Sequence, residues 1–163
     1  MHKREIKIEF LEYESSENLP DVEKDLLKQA KNAASKAYAP YSHFHVGSAV
    51  LLKNGKIFLG NNQENAAYPS GLCAERVALF SASARYPGVD ILAIAITATS
   101  KETSINEPIT PCGACRQVMI EYENMAKGNI KIIMSGERGK VLVSETVKNL
   151  IPLSFDGNHL IKK

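Results

Sequence analysis

The sequence lacks the features of several protein classes. No stretch approaches the ~20 apolar residues of a membrane span, and residues 1–10 lack the apolar run of a secretory signal. Basic residues number 20 and acidic residues 18, and no basic run exceeds Lys162-Lys163, so no patch for a polyanion is evident. We therefore expect a cytoplasmic protein that binds neither membrane nor nucleic acid, and whose ligand is small and nearly neutral.

Cysteine is also scarce. The chain has three cysteines, and an odd number does not suit a disulfide framework. Disulfides are not needed either, because a chain of 163 residues with 44% hydrophobic side chains can bury a core of its own. The positions of the cysteines are more informative than their number.

The hydrophobic pattern predicts one α/β domain. We expect residues 20–163 to form it, with residues 1–19 as an N-terminal extension or an edge strand, because Ile6, Ile8 and Phe10 alternate with charged residues. The predicted order is βαββαβαββα, which fits helices on both faces of a mixed sheet. Asn54-Gly55, between two β-type runs, predicts a tight hairpin.

The boundaries of the other elements follow from turn residues and periodicity. A helix begins near Pro20 and ends before Pro40, and the last element is a short helix over Ser144–Leu150. The remaining predicted elements are helices over Leu72–Arg85 and Ala114–Lys127, and strands over Val46–Lys53, Lys56–Asn61, Ile91–Ala98, Ile130–Ser135 and Lys140–Val143.

The three cysteines fall at predicted helix starts. Cys73 opens one helix, and Cys112 and Cys115 open another, one turn apart and so on the same side. A helix N-terminus favours thiolates, which are the metal-binding form of cysteine. Zinc suits soft sulfur ligands in a tetrahedral shell, and three protein ligands leave a fourth position for water, as in catalytic sites.

A structural zinc site is the alternative. It would need a fourth ligand, which His2, His43, His45 or His159 could supply. The position of Glu75, two residues after Cys73, favours catalysis, because its carboxylate can reach a metal-bound water without ligating the metal. A C-x-E motif followed by C-x-x-C is the zinc deaminase signature in its three-cysteine form.

Four strings closely resemble the small cytidine deaminases. They are Cys73-Ala74-Glu75-Arg76, Pro111-Cys112-Gly113-Ala114-Cys115-Arg116-Gln117, Pro40-Tyr41-Ser42-His43-Phe44 and Asn62-Gln63-Glu64-Asn65-Ala66-Ala67-Tyr68. The resemblance runs from about Leu26 to Phe155. It implies a three-layer α/β/α fold with a five-stranded mixed sheet, one zinc ion per subunit and a homotetramer.

The resemblance also implies roles near the metal. Glu75 would carry protons between water, the cytosine ring and the departing amine, while the N–H of Ala74 and the carbonyl of Thr110 would orient the base. Arg76 would hydrogen-bond a cysteine sulfur and offset the charge of three thiolates. Arg116 is the alternative for that role, and a surface or interface ion pair is its other interpretation.

Other residues would bind the rest of the substrate. Asn62 and Glu64 lie on one face of a strand end and would bind the 3′-hydroxyl of the ribose. Phe44 and Tyr68 would pack against the nucleoside. Phe155 would stack on the base in a neighbouring subunit, so that sites are shared between subunits, unless it packs on its own domain. His45 departs from the family, in which many members have proline.

The function expected from this resemblance is zinc-dependent conversion of cytidine, and of deoxycytidine, to uridine or deoxyuridine plus ammonia in nucleoside salvage. Three alternatives stay open. They are deamination of a cytosine-containing antibiotic such as blasticidin S, polynucleotide editing, and a zinc-stabilised module without activity. The Asn62–Tyr68 string argues against the first alternative, and the charge balance argues against the second.

Overall fold

The tight hairpin predicted at Asn54-Gly55 is present. In the computed structural model, which describes residues 1–126, 128–157 and 160, the N–H of Lys56 donates to the side chain of Asn54 across 3.1 Å, and Gly55 has a φ of 79°. A left-handed φ at this position is tolerated best by glycine. The hairpin joins strands β2 (Phe44–Leu52) and β3 (Ile57–Asn61).

The regular elements follow the predicted order except at the end of the chain. The other strands are β1 (Leu11–Tyr13), β4 (Ile91–Ser100), β5 (Lys131–Ser135) and β6 (Val141–Ser144), and the helices are α1 (Asp21–Ala34), α2 (Ala74–Arg85) and α3 (Gly113–Met125). The predicted final helix over Ser144–Leu150 is wrong. A short 3-10 turn, Val147–Asn149, takes its place because the chain is still in β6 at Ser144. Two further 3-10 turns are Ser16–Asn18 and Tyr68–Ser70.

All six strands form one mixed sheet in the order β1-β6-β5-β4-β2-β3. Strands β4 and β5 are parallel, and the other neighbours are antiparallel. The five-stranded sheet implied by the family is one strand too few, because β1 adds to the edge at β6. Residues 1–19, expected as an N-terminal extension or an edge strand, contain one strand, Leu11–Tyr13. In the β1–β6 register Phe10 would face Ser144, the last residue of β6, so β6 offers residues 1–9 no partner.

The helices cover both faces of the sheet, which confirms the three-layer arrangement. On one face, Leu26, Leu27 and Ala30 of α1 are buried against sheet residues such as Ala95 and Ile133. On the other face, α2 and α3 pack on a second core. The buried members of this core are Val50, Leu52, Ala78, Leu79, Ala82, Ile91, Ile94, Ile96, Cys115, Met119, Ile120, Ile130, Ile132, Met134, Val147 and Leu150.

Glycine allows one helix to approach the sheet closely on each face. A Cβ atom at Gly60 in β3 would lie 2.3 Å from the carbonyl oxygen of Ala74, and one at Gly47 in β2 would lie 2.0 Å from the carbonyl oxygen of Ala30. Any other residue would push the helix away, because real Cβ atoms do not approach backbone this closely. Gly60 therefore sets the distance between α2 and the sheet, and with it the position of Ala74, which follows Cys73.

Helix length and polarity also bear on membranes. Of the helices in the described residues, none has the length and apolar character needed to cross a bilayer.

Candidate active site and metal centre

Three cysteine sulfurs meet at the starts of two helices. Cys73 is the N-cap of α2, Cys112 is the N-cap of α3, and Cys115 lies in the first turn of α3. Their Sγ atoms all lie within 4.8 Å of one another. The two helices lie side by side on one face of the sheet, which brings residues 39 positions apart in sequence into contact. The starts of α2 and α3 therefore converge on one site.

The geometry of this cluster fits zinc. The Sγ atoms of Cys73 and Cys112 are 3.8 Å apart, and two sulfurs bound tetrahedrally at ~2.3 Å from one zinc ion are themselves ~3.8 Å apart. Cys115 is buried, Cys73 half-buried and Cys112 exposed, so the cluster is closed on one side and open on the other.

No histidine belongs to the cluster among the described residues, which include three of the four proposed fourth ligands. The fourth, His159, lies outside the described residues. A structural site with four protein ligands therefore gains no support from the described residues. Three thiolates with one open position is the arrangement that suits catalysis.

Arg76 lies where the resemblance implied. Its Nη2 donates a hydrogen bond to the Sγ of Cys73 across 3.4 Å. A guanidinium bound to a ligand sulfur withdraws negative charge from it, and three thiolates around a divalent ion carry one negative charge in excess.

In the described residues the guanidinium of Arg116 binds oxygen atoms and not a cysteine sulfur, and the interface ion pair stays a prediction. Its guanidinium donates to the carbonyl oxygens of Pro111 (2.8 Å) and Leu150 (3.0 Å) and to the hydroxyl of Thr110 (3.1 Å). Three oxygens from two separate segments use the fixed fork of donors that a guanidinium offers. Arg116 thus ties the start of α3 to the C-terminal tail, which we define as residues 150–157.

Glu75 is the second residue of α2 and is only 4% exposed. Burial raises the pKa of its carboxyl group, and the charge of Cys73 nearby raises it further. A carboxyl group whose pKa is moved towards neutrality can both accept and release a proton at physiological pH. Ala74, before it, is fully buried and begins the helix, where backbone N–H groups have no partner within the helix.

The pKa values of the Cys73 and Cys115 thiols are shifted in opposite directions. A hydrogen bond from Cys115 lowers the pKa of the Cys73 thiol to about 5, and Arg76 acts in the same direction against the effect of burial. The pKa of Cys115 is raised, first because it keeps the proton in its hydrogen bond to Cys73 and second because it is buried. Of Cys73 and Cys115, Cys73 is therefore the one more readily present as a thiolate.

A pocket of about 510 Å³ opens beside Cys73, a volume typical of small-molecule sites. Four predicted site residues besides Cys73 line it. The residues around it are Tyr41, Ser42, Asn62, Gln63, Glu64, Asn65, Tyr68, Gly71, Leu72, Cys73 and Arg76. The rings of Tyr41 and Tyr68 lie 6.1 Å apart in this wall. The pocket thus joins the proposed ribose-binding residues to the metal cluster.

The side chain of Asn62 is engaged with the backbone of β2. Its Oδ1 accepts from the N–H of Val46 across 2.7 Å, and its Nδ2 donates to the carbonyl oxygen of Phe44 across 2.9 Å. These bonds continue the β2–β3 ladder beyond Asn61. Asn62 therefore holds the segment that carries Phe44, which its position in the sequence did not indicate.

Glu64 is bound to the loop that precedes β2. Its Oε2 accepts from the backbone N–H groups of Tyr41 (2.9 Å) and Ser42 (3.3 Å), and its Oε1 accepts from the hydroxyl of Ser42. The hydrogen bond from the Ser42 hydroxyl is the main cause that lowers the pKa of Glu64. The hydroxyl of Ser42 in turn accepts from the N–H of Phe44 across 3.1 Å. Sequence reasoning missed Ser42.

The aromatic residues are distributed around the site. Tyr68 is 76% exposed in the pocket wall, whereas Phe44 is 36% exposed and is not a lining residue. Phe155 is 57% exposed and does not line its own chain's pocket. The carbonyl oxygen of Phe155 accepts from Nε2 of Gln117 on α3 across 2.8 Å, so the tail is held near its own helix.

Sequence reasoning also missed a buried carboxylate on α3. Glu123, 4% exposed, accepts from the N–H groups of Ile130 and Val147, each at 2.8 Å, and from the hydroxyl of Thr146 at 2.6 Å. A signal was present in the sequence, because Glu123 lies on the same helical stripe as Cys115 and Met119. A charged residue on an apolar stripe indicates a buried polar contact.

Fold and site together define a zinc-binding α/β protein with three cysteine ligands. The family model described as "Cytidine and deoxycytidylate deaminase zinc-binding region" matches residues 20–128. The chain belongs to this family.

Individual relatives agree with this assignment. A cytidine deaminase from Halalkalibacterium halodurans is 42% identical over 130 residues, which are 80% of this chain and 91% of the relative. One from Sporosarcina psychrophila is 40% identical over 86% of this chain and 95% of its own length. The crystal structure of cytidine deaminase from Burkholderia pseudomallei is 44% identical, covers 80% of this chain and 97% of its own, and superposes with a TM-score of 0.69.

Proposed function

We propose that this protein is a zinc-dependent cytidine deaminase that acts in the cytoplasm, in pyrimidine nucleoside salvage. The reaction adds water to cytidine, or to deoxycytidine, and yields uridine or deoxyuridine plus ammonia. The observation that carries the proposal is a three-sulfur cluster with the buried carboxyl group of Glu75 two residues from Cys73, beside a pocket of nucleoside size.

The metal would be held by Cys73, Cys112 and Cys115, one ion per subunit. Zinc when bound supplies a water molecule that ionises near neutral pH. The chain itself supplies charge balance, because the Arg76 guanidinium donates to the Cys73 sulfur. Without that hydrogen bond, the negative charge of three thiolates would oppose ionisation of the water.

Glu75 moves the protons. It accepts one proton from the attacking water and delivers it to N3 of the cytosine ring, as oxygen bonds to C4. It then takes the remaining proton from the new C4 hydroxyl and passes it to the amino group, which leaves as ammonia as the C4–N4 bond breaks and the C4 carbonyl forms. The raised pKa of the carboxyl group suits both directions of transfer. The N–H of Ala74 and the carbonyl of Thr110 orient the amide edge of the base.

The sugar lies between Asn62, Glu64 and Tyr68 in the pocket. Phe44 packs against the nucleoside, and Asn62 holds the segment that carries Phe44. Glu64 still has accepting capacity for the 3′-hydroxyl, because each carboxylate oxygen accepts about two hydrogen bonds. Neither Asn62 nor Glu64 offers an evident test of the 2′ position, which supports acceptance of deoxycytidine as well as cytidine.

The protein acts as a homotetramer in which Phe155 completes the pocket of a neighbouring subunit. Two observations support this arrangement. The ring is 57% exposed, and the residue does not line its own pocket. A ring that stacks on the base from another chain would make each site depend on the assembly.

Ammonia release from cytidine, deoxycytidine, cytosine and blasticidin S tests the proposal. We expect release from both nucleosides and not from the other two compounds. Glu75→Gln should retain zinc and lower kcat by roughly 10²–10⁴-fold, while Glu121→Gln, at an exposed position of α3, should be unchanged. Release from blasticidin S alone would reassign the substrate. Near-normal activity of Glu75→Gln would reject the role of Glu75.

A further inference from the structure

The N-terminal arm, defined as residues 1–10, has an apolar face that the described chain leaves partly uncovered. Ile6, Ile8 and Phe10 are 50%, 43% and 41% exposed. Their spacing of two residues puts them on one face of an extended chain. Ile6 and Ile8 border a cavity together with Ile120 and Ile151, so this face rests partly on α3 and the C-terminal tail.

The outward face of the arm is charged and regular. Lys3 pairs with Glu5 across 2.6 Å, and Lys7 pairs with Glu9 across 2.7 Å. These side chains are 73–84% exposed. Pairs two residues apart lie on one face only in an extended chain, which supports a strand-like arm with an apolar and a charged face.

One edge of the arm is open. β1, which continues the arm, is the last strand of the sheet and pairs with β6 on one side only. On that inner side, the carbonyl oxygen of Glu9 accepts from Nδ2 of Asn149 across 2.9 Å. Successive residues of a strand direct their backbone groups to opposite edges, so those of Ile8 and Phe10 face the open edge, where another strand can pair.

The sequence of the arm is complementary to itself. Suppose that two arms lie antiparallel with Ile8 opposite Ile8 of a second copy. Ile6 then lies opposite Phe10, Lys7 opposite Glu9, and Arg4 opposite Glu12, so that apolar side chains meet apolar ones and each of these charges meets its opposite.

Neighbouring registers are worse. With Lys7 opposite Lys7, Glu5 also faces Glu9, which places like charges together. With Ile6 opposite Ile6, the charges match, but Ile8 faces Arg4 and Phe10 faces His2. The register centred on Ile8 pairs Ile6 with Phe10 and Lys7 with Glu9, and its one mismatch of a charged with an apolar residue is Glu5 opposite Leu11.

We propose that the N-terminal arm is an interface for a second copy of this chain, paired antiparallel with Ile8 at the centre. The arm contributes no residue to the three-cysteine cluster or to the pocket beside Cys73. Its tests measure association and not activity, so they stay valid if the proposed reaction fails.

Cross-linking tests the register. The zinc-loaded full chain with Ile8→Cys should form a disulfide-linked dimer on mild oxidation, since directly opposed strand residues are ~5.5 Å apart at Cα, within disulfide reach. Lys3→Cys is the matched control, because residue 3 would face Tyr13 of the second chain and not residue 3 of that chain. Cross-linking at Ile8 no greater than at Lys3, or a preference for Ile6→Cys, would overturn the proposal.

Charge exchange tests the pairing in solution. Sedimentation velocity should show association of the Lys7→Glu chain weakened roughly tenfold, because two symmetric pairs become repulsive. Glu9→Lys should do the same, and the double variant Lys7→Glu/Glu9→Lys should restore association. Lys3→Glu should leave it unchanged. A double variant no better than either single one would overturn the proposal.

Discussion

The side-chain amide of Asn62 donates to the carbonyl oxygen of Phe44 across 2.9 Å. Because the same side chain also accepts from the N–H of Val46, it fixes both ends of residues 44–46. Asn62 therefore shapes the wall of the pocket in addition to any bond with the sugar.

A substrate without a 3′-hydroxyl separates these two roles of Asn62. Asn62→Ala should lower kcat/KM by about 30-fold for cytidine and for 2′,3′-dideoxycytidine alike, because the loop loses two hydrogen bonds of roughly 1 kcal/mol each. Asn32→Ala, at an exposed position on α1, is the control. A loss confined to cytidine would mean that Asn62 acts only through the sugar.

Loss of the Arg76 guanidinium should weaken the metal centre. We expect Arg76→Ala to lower activity or zinc affinity by about 10–100-fold, because groups that hydrogen-bond to metal ligands contribute about that much. Zinc release to a coloured chelator, measured alongside kcat, checks this. Arg85→Ala, exposed in the last turn of α2, is the control. Equal release from the two variants would contradict the role of Arg76.

Glu123 should contribute to stability and not to chemistry. Glu123→Ala leaves the buried N–H groups of Ile130 and Val147 without an acceptor, which costs about 2–6 kcal/mol in the free energy of unfolding. Urea unfolding of the zinc-loaded protein measures this, with Glu121→Ala as the exposed control. If the two variants unfold at the same urea concentration, the three hydrogen bonds of Glu123 do not contribute to the free energy of unfolding, and the prediction is wrong.

Hybrid assemblies test whether Phe155 is donated between subunits. Glu75→Gln chains lack the proton carrier, and Phe155→Ala chains lack the ring. After subunit exchange, some pockets combine an intact Glu75 with a Phe155 from the other chain, so activity should recover above the sum of the parents. Exchange is verified by mass spectrometry of intact assemblies. Proven exchange without recovery would assign Phe155 to its own chain.

The sequence predicts much of the fold because local signals mark the element boundaries. Asn54-Gly55 predicted the position of the hairpin, and Pro20, Pro40 and Pro111 predicted the limits of helices that the structure contains. The cysteines were predictable for the same reason, since each stands at or just inside a helix start. Because both helices lie on one face of the sheet, no further signal is needed to predict that their starts, with the three cysteines, lie close together.

Contacts between distant segments could not be predicted in this way. Arg116 reaches the carbonyl of Leu150, 34 residues away, and nothing near Arg116 in the sequence specifies that partner. The arm, expected as part of an extension or an edge strand, stays unpaired with β6 for a related reason. Its alternation was correct, but pairing depends on the length of β6, which ends at Ser144.

The central claim is that three sulfurs hold the metal and that its fourth position belongs to solvent. X-ray absorption spectroscopy at the zinc edge of the loaded protein tests this directly. We predict three sulfur neighbours at ~2.3 Å and one oxygen at ~2.0 Å, without the outer-shell scattering of an imidazole ring. An imidazole or a fourth sulfur in the spectrum would contradict the claim.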